Sequence, residues 1–209
     1  VMTPRRHQIS WALAILRSSA WGFGTPRQIA REAAERLAGV VIQSPLQYNE
    51  RLSAATGAKV WLKREDLQPV RSYKLRGAYN LIAQLSAAER TAGVVCASAG
   101  NHGQGVAYAC ARLGIKAQIF VPSTTPRQKR QRMRQLGEGW AELIVHGDTY
   151  DEAAALAHQV AAEQGRTLVP AFDDPRVIAG QGTLMLEVLD ELGKVPDVIV
   201  VPVGGGGLL

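Results

Sequence analysis

The stretch GVVCASAGNHGQGVAYACARLG, Gly93 to Gly114, contains the unit on which the fold reading rests. Val94 to Ala97 is an apolar run with no polar alternation, the mark of a strand buried on both faces. Small residues follow, and then a helix-like segment through Arg112. The same unit recurs along the chain. AQIFVP (Ala117 to Pro122) leads to a helix over the basic run PRQKRQRMR, Pro126 to Arg134. AELIVHG (Ala141 to Gly147) leads to a helix from about Tyr150 to Gln164, and TLVPAF (Thr167 to Phe172) to one from Pro175 to about Leu192. DVIVVPV (Asp197 to Val203) closes the series as a last strand and runs into four glycines. Strands alternating with helices predict an α/β fold around parallel sheet covered on both faces. Upstream, IAREAAERLAGV (Ile29 to Val40) reads as a helix capped near Gly39, and KVWLKRED (Lys59 to Asp66) as a strand entering a polar loop. Asp174 and Pro175 form an N-cap and first-turn pair, which is preferred to a catalytic role for Asp173 or Asp174.

With 209 residues, of which 46% are apolar and 20% charged, the chain makes one large domain or two small ones with an ordinary packed core. No apolar run approaches the roughly 20 residues needed to cross a bilayer. Cys96 and Cys110 fall in a strand-like and a helix-like run, so both are expected reduced and buried, as in a cytoplasmic protein. His7, His102, His146 and His158 show no metal-ligand spacing with one another or with the cysteines, and no metal site is expected. The net charge of +6 is uneven: residues 1–31 hold five arginines and no acid, and a second cluster lies at Arg127 to Arg134. No aromatic is interleaved there for base stacking, so a solvated helix face is favoured over a nucleic-acid site. Residues 1–27, with two tryptophans and the apolar run Ile9 to Leu16, share features with export signals and transit peptides but equally with a plain extension, and receive no function.

Three features bear on chemistry. Lys74 opens a helix whose stripe continues through Ala78, Leu81, Ile82 and Leu85. An amine held among apolar groups has a lowered pKa and can attack a carbonyl, whereas a first-turn lysine can also simply reach solvent. SAGNHGQG, Ser98 to Gly105, lies between strand and helix, where small residues let backbone amides approach an anion; the alternative is a tight turn. His102 in it reads as structural. VGGGGLL, Val203 to Leu209, follows the last apolar run, and successive glycine amides suit a phosphate, against the alternative of a flexible turn. An aldehyde for the lysine, a phosphate for the glycines and an amino-acid carboxylate for the Ser98 loop are together met by pyridoxal phosphate with its substrate.

The segments LKREDLQPVRSYKLRGAYN, ASAGNHGQGVAYACARLG, FDDPRVIAGQGT and VPVGGGGLL, in register from about Val40 to Leu209, resemble the threonine dehydratases among the fold-type II pyridoxal-phosphate enzymes. The first two segments are shared with serine racemases and serine dehydratases; the third, with this wording of the first, points to the threonine enzymes. The resemblance implies two three-layer α/β lobes of the tryptophan-synthase-β kind. Residues 36–87 and 174–209 would form an incomplete large lobe, 88–173 a small lobe, and 1–35 an N-terminal extension. It further implies that Lys74 joins the cofactor as a Schiff base and serves as base. Tyr73, where the family more often has Phe, packs beside the ring, and Asn101 bonds its phenolic oxygen. Gly204, Gly205, Gly206, Gly207 and Leu208 hold the phosphate, while Ser98, Ala99, Gly100, Asn101 and His102 grip the substrate carboxylate. A homo-oligomer, dimer or tetramer, is implied for the full-length form. QSPL (Gln43 to Leu46) departs mildly from the family's Thr-Pro-Leu. The family's partner for the pyridine nitrogen lies beyond position 209, so these residues read as an N-terminal fragment expected to be inactive alone.

Overall fold

The structure, a computed structural model, describes residues 25–209. The apolar run and the tryptophans of the N-terminal segment lie outside the described residues. Helix α1 (Pro26–Leu37) begins where Thr25 accepts a bond from the Gln28 amide and proline occupies the first turn. It buries Ala30, Ala33 and Leu37, and packs on the late helix α8 (Pro175–Leu192). Between them lie β1 (Leu46–Tyr48), α2 (Glu50–Thr56) and β2 (Trp61–Lys63). β1 and β2 pair antiparallel, Leu46 opposite Lys63, as a small sheet of their own. The strand expected within Lys59 to Asp66 is thus present as β2, while its partner β1 was not read from the sequence.

A 3-10 turn (Glu65–Leu67) leads to α3 (Lys74–Ala83) and α4 (Ala87–Ala92), the latter started by a Ser86/Glu89 capping box. From there the strand–helix alternation holds. β3 (Val94–Ala97), α5 (Asn101–Leu113), β4 (Ala117–Val121), α6 (Arg127–Gly137), β5 (Ala141–Val145), α7 (Tyr150–Gln164) and β6 (Thr167–Leu168) form one unit. Its strands are all parallel, in the order β5-β4-β3-β6. Side chains alternate across this sheet with the period of a strand. Val94, Cys96, Ile119 and Val121 enter a core shared with α3, α5 and α6. Val95 and Phe120 pack with Ala153 and Ala157 of α7 on the other face. That is the three-layer α/β arrangement read from the sequence.

Helix α3 is clamped between α5 and α8, and glycines set the spacing. A methyl group at Gly105 of α5 would lie 3.1 Å from the Lys74 carbonyl oxygen. One at Gly180 of α8 would lie 2.5 Å from the Arg76 carbonyl oxygen and 2.7 Å from the Gly77 Cα. Only bare backbone permits so close a crossing on both sides. The stripe of Ala78, Leu81, Ile82 and Leu85 is buried as expected, but so are Arg76, Gly77 and Asn80. The helix is enclosed on every face.

Asp197 to Val203 differs from its reading. Those residues form no strand, and Val198, Ile199, Val200 and Val203 are exposed. A parallel strand exists only through a neighbour's amides and carbonyls, and among the described residues no strand lies alongside this run.

Candidate active site

Lys74 stands at the first position of α3 with its amine half-buried. Nζ donates to the Ala171 carbonyl at 2.7 Å and lies 5.3 Å from the Tyr73 ring centroid. No carboxylate pairs with it among the described residues. Burial therefore acts unopposed, and the Lys74 pKa falls below its ordinary 10.5. Tyr73 occupies the cap position, and burial raises its phenol.

The Ser98–His102 turn crosses the C-terminal end of β3. Ser98 is buried, and its hydroxyl accepts a bond from the Gly100 amide at 3.2 Å. Asn101, the first residue of α5, is exposed, and its side chain makes no hydrogen bond to another described residue. His102 points inward. A carbonyl only accepts, so Nε2 carries the proton and donates to Val169 O at 2.9 Å. Its pKa is pushed down to about 4, first by burial and also by the nearby Lys74 charge, while the Val169 bond works the other way. At neutral pH the ring is therefore uncharged. His102 and Lys74 thus hold one short segment, Val169 to Ala171, from two sides.

Phe172, next on that segment, connects Lys74 to the glycines. A methyl at Gly205 would lie 2.4 Å from the Phe172 ring, and one at Gly207 2.7 Å from the Phe172 carbonyl oxygen. At Gly204 and Gly206 it would meet nothing within 4 Å, and Gly206 is left-handed at φ 85°. Alternate glycines therefore face the aromatic floor and open space. Leu208, half-buried, follows directly.

The sequence reading missed the network beside the lysine. Arg76, wholly buried, is clasped by two carboxylates. Glu65 takes bonds from Nε and Nη2 at 2.9 and 2.8 Å, and Glu187 from Nη1 and Nη2 at 2.6 and 3.0 Å. Thr183 accepts from Nη1, and Ser44 donates to Glu65 at 2.6 Å. Lys63 joins Glu187 and Glu191 at the rim. Burial alone would lower Arg76 and raise Glu65; their mutual bonds outweigh it and move both the opposite way. The signal was in the chain: the charges of KRED precede a buried helix, and Arg76 falls within it.

A half-buried amine and a bare glycine turn on either side of one short segment, on an α/β scaffold, suit a phosphorylated carbonyl compound, the amine for its carbonyl carbon and the turn's amides for its phosphate. The chain belongs to the pyridoxal-phosphate dependent enzyme family, whose model matches residues 37–209. It is 61% identical over 177 residues to a biosynthetic L-threonine dehydratase of Mycobacterium bovis, covering 85% of this chain and 41% of that one. A structure of the processed threonine deaminase isoform 2 from Solanum lycopersicum superposes with a TM-score of 0.80 at 42% identity, over 88% of this chain and 52% of that one. Maize serine racemase superposes at 0.81 with 32% identity, over 87% and 54%. The chain spans about two fifths of the length of the curated relative.

The residues present fit the cofactor. Lys74 offers an amine with no competing carboxylate, and Gly204 and Gly206 expose backbone that no side chain covers.

Proposed function

We propose that the full gene product carrying this chain is a threonine dehydratase that converts L-threonine to 2-oxobutanoate and ammonia, and L-serine to pyruvate and ammonia. The supporting observation is the 61% identity to the mycobacterial dehydratase. Fold similarity does not choose between dehydratase and racemase, since the two superpose equally well. Sequence identity, 42% against 32%, supports the dehydratase reading.

Pyridoxal phosphate, when bound, supplies an aldehyde carbon for an amine and a ring that takes up the electron pair left on a deprotonated α-carbon. Lys74, whose Nζ now donates to Ala171 O, would be the amine that holds the cofactor's carbonyl carbon and the base that would take the substrate α-proton. Its lowered pKa makes the lone pair available at lower pH than in a free lysine. Tyr73 would flank the ring. Gly204, Gly205, Gly206, Gly207 and Leu208 would offer amides to the phosphate, and Asn101 its side-chain amide to the phenolic oxygen. Ser98, Ala99, Gly100, Asn101 and His102 receive the substrate carboxylate at the start of α5, where helix amides favour an anion. Removal of the α-proton and the β-hydroxyl eliminates water, and hydrolysis of the product enamine restores it, so the keto acid and ammonia balance the substrate.

The lobe division at residues 36–87 with 174–209 against 88–173, a cytoplasmic location and a homo-oligomer belong to the same reading. Its test is product analysis with L-threonine and L-serine. Keto acid from L-threonine is expected; D-serine without keto acid would make the protein a racemase and end this proposal.

A further inference from the structure

Ser72 precedes Lys74 by two residues and is only 7% exposed, yet its hydroxyl is bonded to nothing among the described residues. A hydroxyl taken from water and given no partner weakens the ligand-free protein. The usual structural task for a serine here is to cap the helix. Ser72 does not do so: Tyr73 holds the cap position, and α3 has no side-chain cap. Nor does Ser72 join the Arg76 network, whose hydroxyls come from Ser44 and Thr183. The residue before it, Arg71, is in the left-handed region at φ 56°, a second local cost on the approach to the lysine. The clamp of α5 and α8 on α3 holds this geometry against both costs.

We propose that the Ser72 hydroxyl is a ligand contact of the Lys74 site, donating to an anionic oxygen of the bound cofactor phosphate or substrate carboxylate. This rests on the pyridoxal-phosphate reading above. A charged acceptor makes the stronger bond to a hydroxyl, and in a dry wall that bond is not diluted by water. The hydroxyl is thus set in place before the ligand arrives, with its desolvation already complete.

The proposal predicts opposite signs for stability and affinity, which a purely structural serine would not give. In the full gene product, Ser72→Ala should raise the melting temperature of the cofactor-free protein by about 2–4 °C. The same variant should weaken binding of pyridoxal phosphate or of the amino acid about tenfold or more. A loss seen with pyridoxal phosphate but not with pyridoxal assigns the phosphate; a loss confined to the amino acid assigns the carboxylate. Thr125→Val is the control, because Thr125 is equally buried and unpartnered but lies in the β4–α6 turn. It should raise stability and leave both affinities unchanged. Unaltered affinities in Ser72→Ala, a fall in its melting temperature, failure to fold, or an equal affinity loss in Thr125→Val would each overturn the proposal. Absence of pyridoxal-phosphate binding by the wild type would instead sink the cofactor reading, and this inference with it, before any variant is made.

Discussion

Lys74 and Arg76 stand on one turn of one helix, and the same packing treats them in opposite ways. Arg76 is fully enclosed, bonded by two carboxylates and a hydroxyl, and its charge is held more firmly than in water. Lys74 is half-buried with a neutral carbonyl as its hydrogen-bond acceptor and no carboxylate beside it, and its charge is loosened. Burial disfavours the charged form in both; the carboxylates decide the net direction. A fixed cation beside a labile one lets a rigid helix present a reactive amine. The network anchors α3 to α8 and to the Glu65 turn, while Lys74 at the helix start remains free of ionic partners.

Breaking the anchored side should give the largest effect. Arg76→Met removes one charge and leaves Glu65 and Glu187 facing each other without it. The expected loss is about 3–5 kcal/mol of unfolding free energy in urea denaturation, as for other buried pairs deprived of one member. A loss below about 1 kcal/mol would mean that the network does not hold the helix. His102 sharpens the comparison from the second side, because it is buried and deliberately uncharged. Its folded pKa of about 4 lies below the ordinary 6.5, so the unfolded chain takes up a proton first as pH falls. The stability associated with the neutral ring is present above pH 6.5 and is lost down to about pH 4, amounting to about 3 kcal/mol. Denaturation from pH 7 to 4 should therefore slope more steeply for the wild type than for His102→Asn. Parallel slopes would place the ring in solvent.

Much of this was legible because it is local. The non-alternating run at Val94 to Ala97 and the turn after it gave the parallel sheet. Asp174 with Pro175 gave the start of α8, and the apolar spacing after Lys74 gave its buried face. What could not be read depends on groups far apart in the chain. Arg76 meets Glu187 across 111 positions and Lys74 meets Ala171 across 97. No periodicity links such residues. Phe172 as the floor of the glycine turn was hidden for the same reason. Asp197 to Val203 shows the converse limit: strand composition is local, but a strand requires a partner, and composition does not say whether one is beside it.

The smallest change in stability belongs to the labile side, and its sign separates the two cations. Lys74→Met removes an amine whose charge is partly desolvated and unpaired. Since the amine keeps some contact with water, the protein should gain no more than about 1 kcal/mol at pH 7. A depressed folded pKa means that the unfolded chain holds the extra proton, so the wild type becomes more stable as pH rises toward 10.5. The advantage of Lys74→Met should shrink over that interval. Reductive trapping of pyridoxal phosphate on the wild-type gene product should show the complementary curve, with a midpoint below 10.5 and no adduct in the variant. A midpoint at or above 10.5, or an adduct that survives the substitution, would show that the enclosed helix loosens neither of its cations, and that the reactive amine is elsewhere.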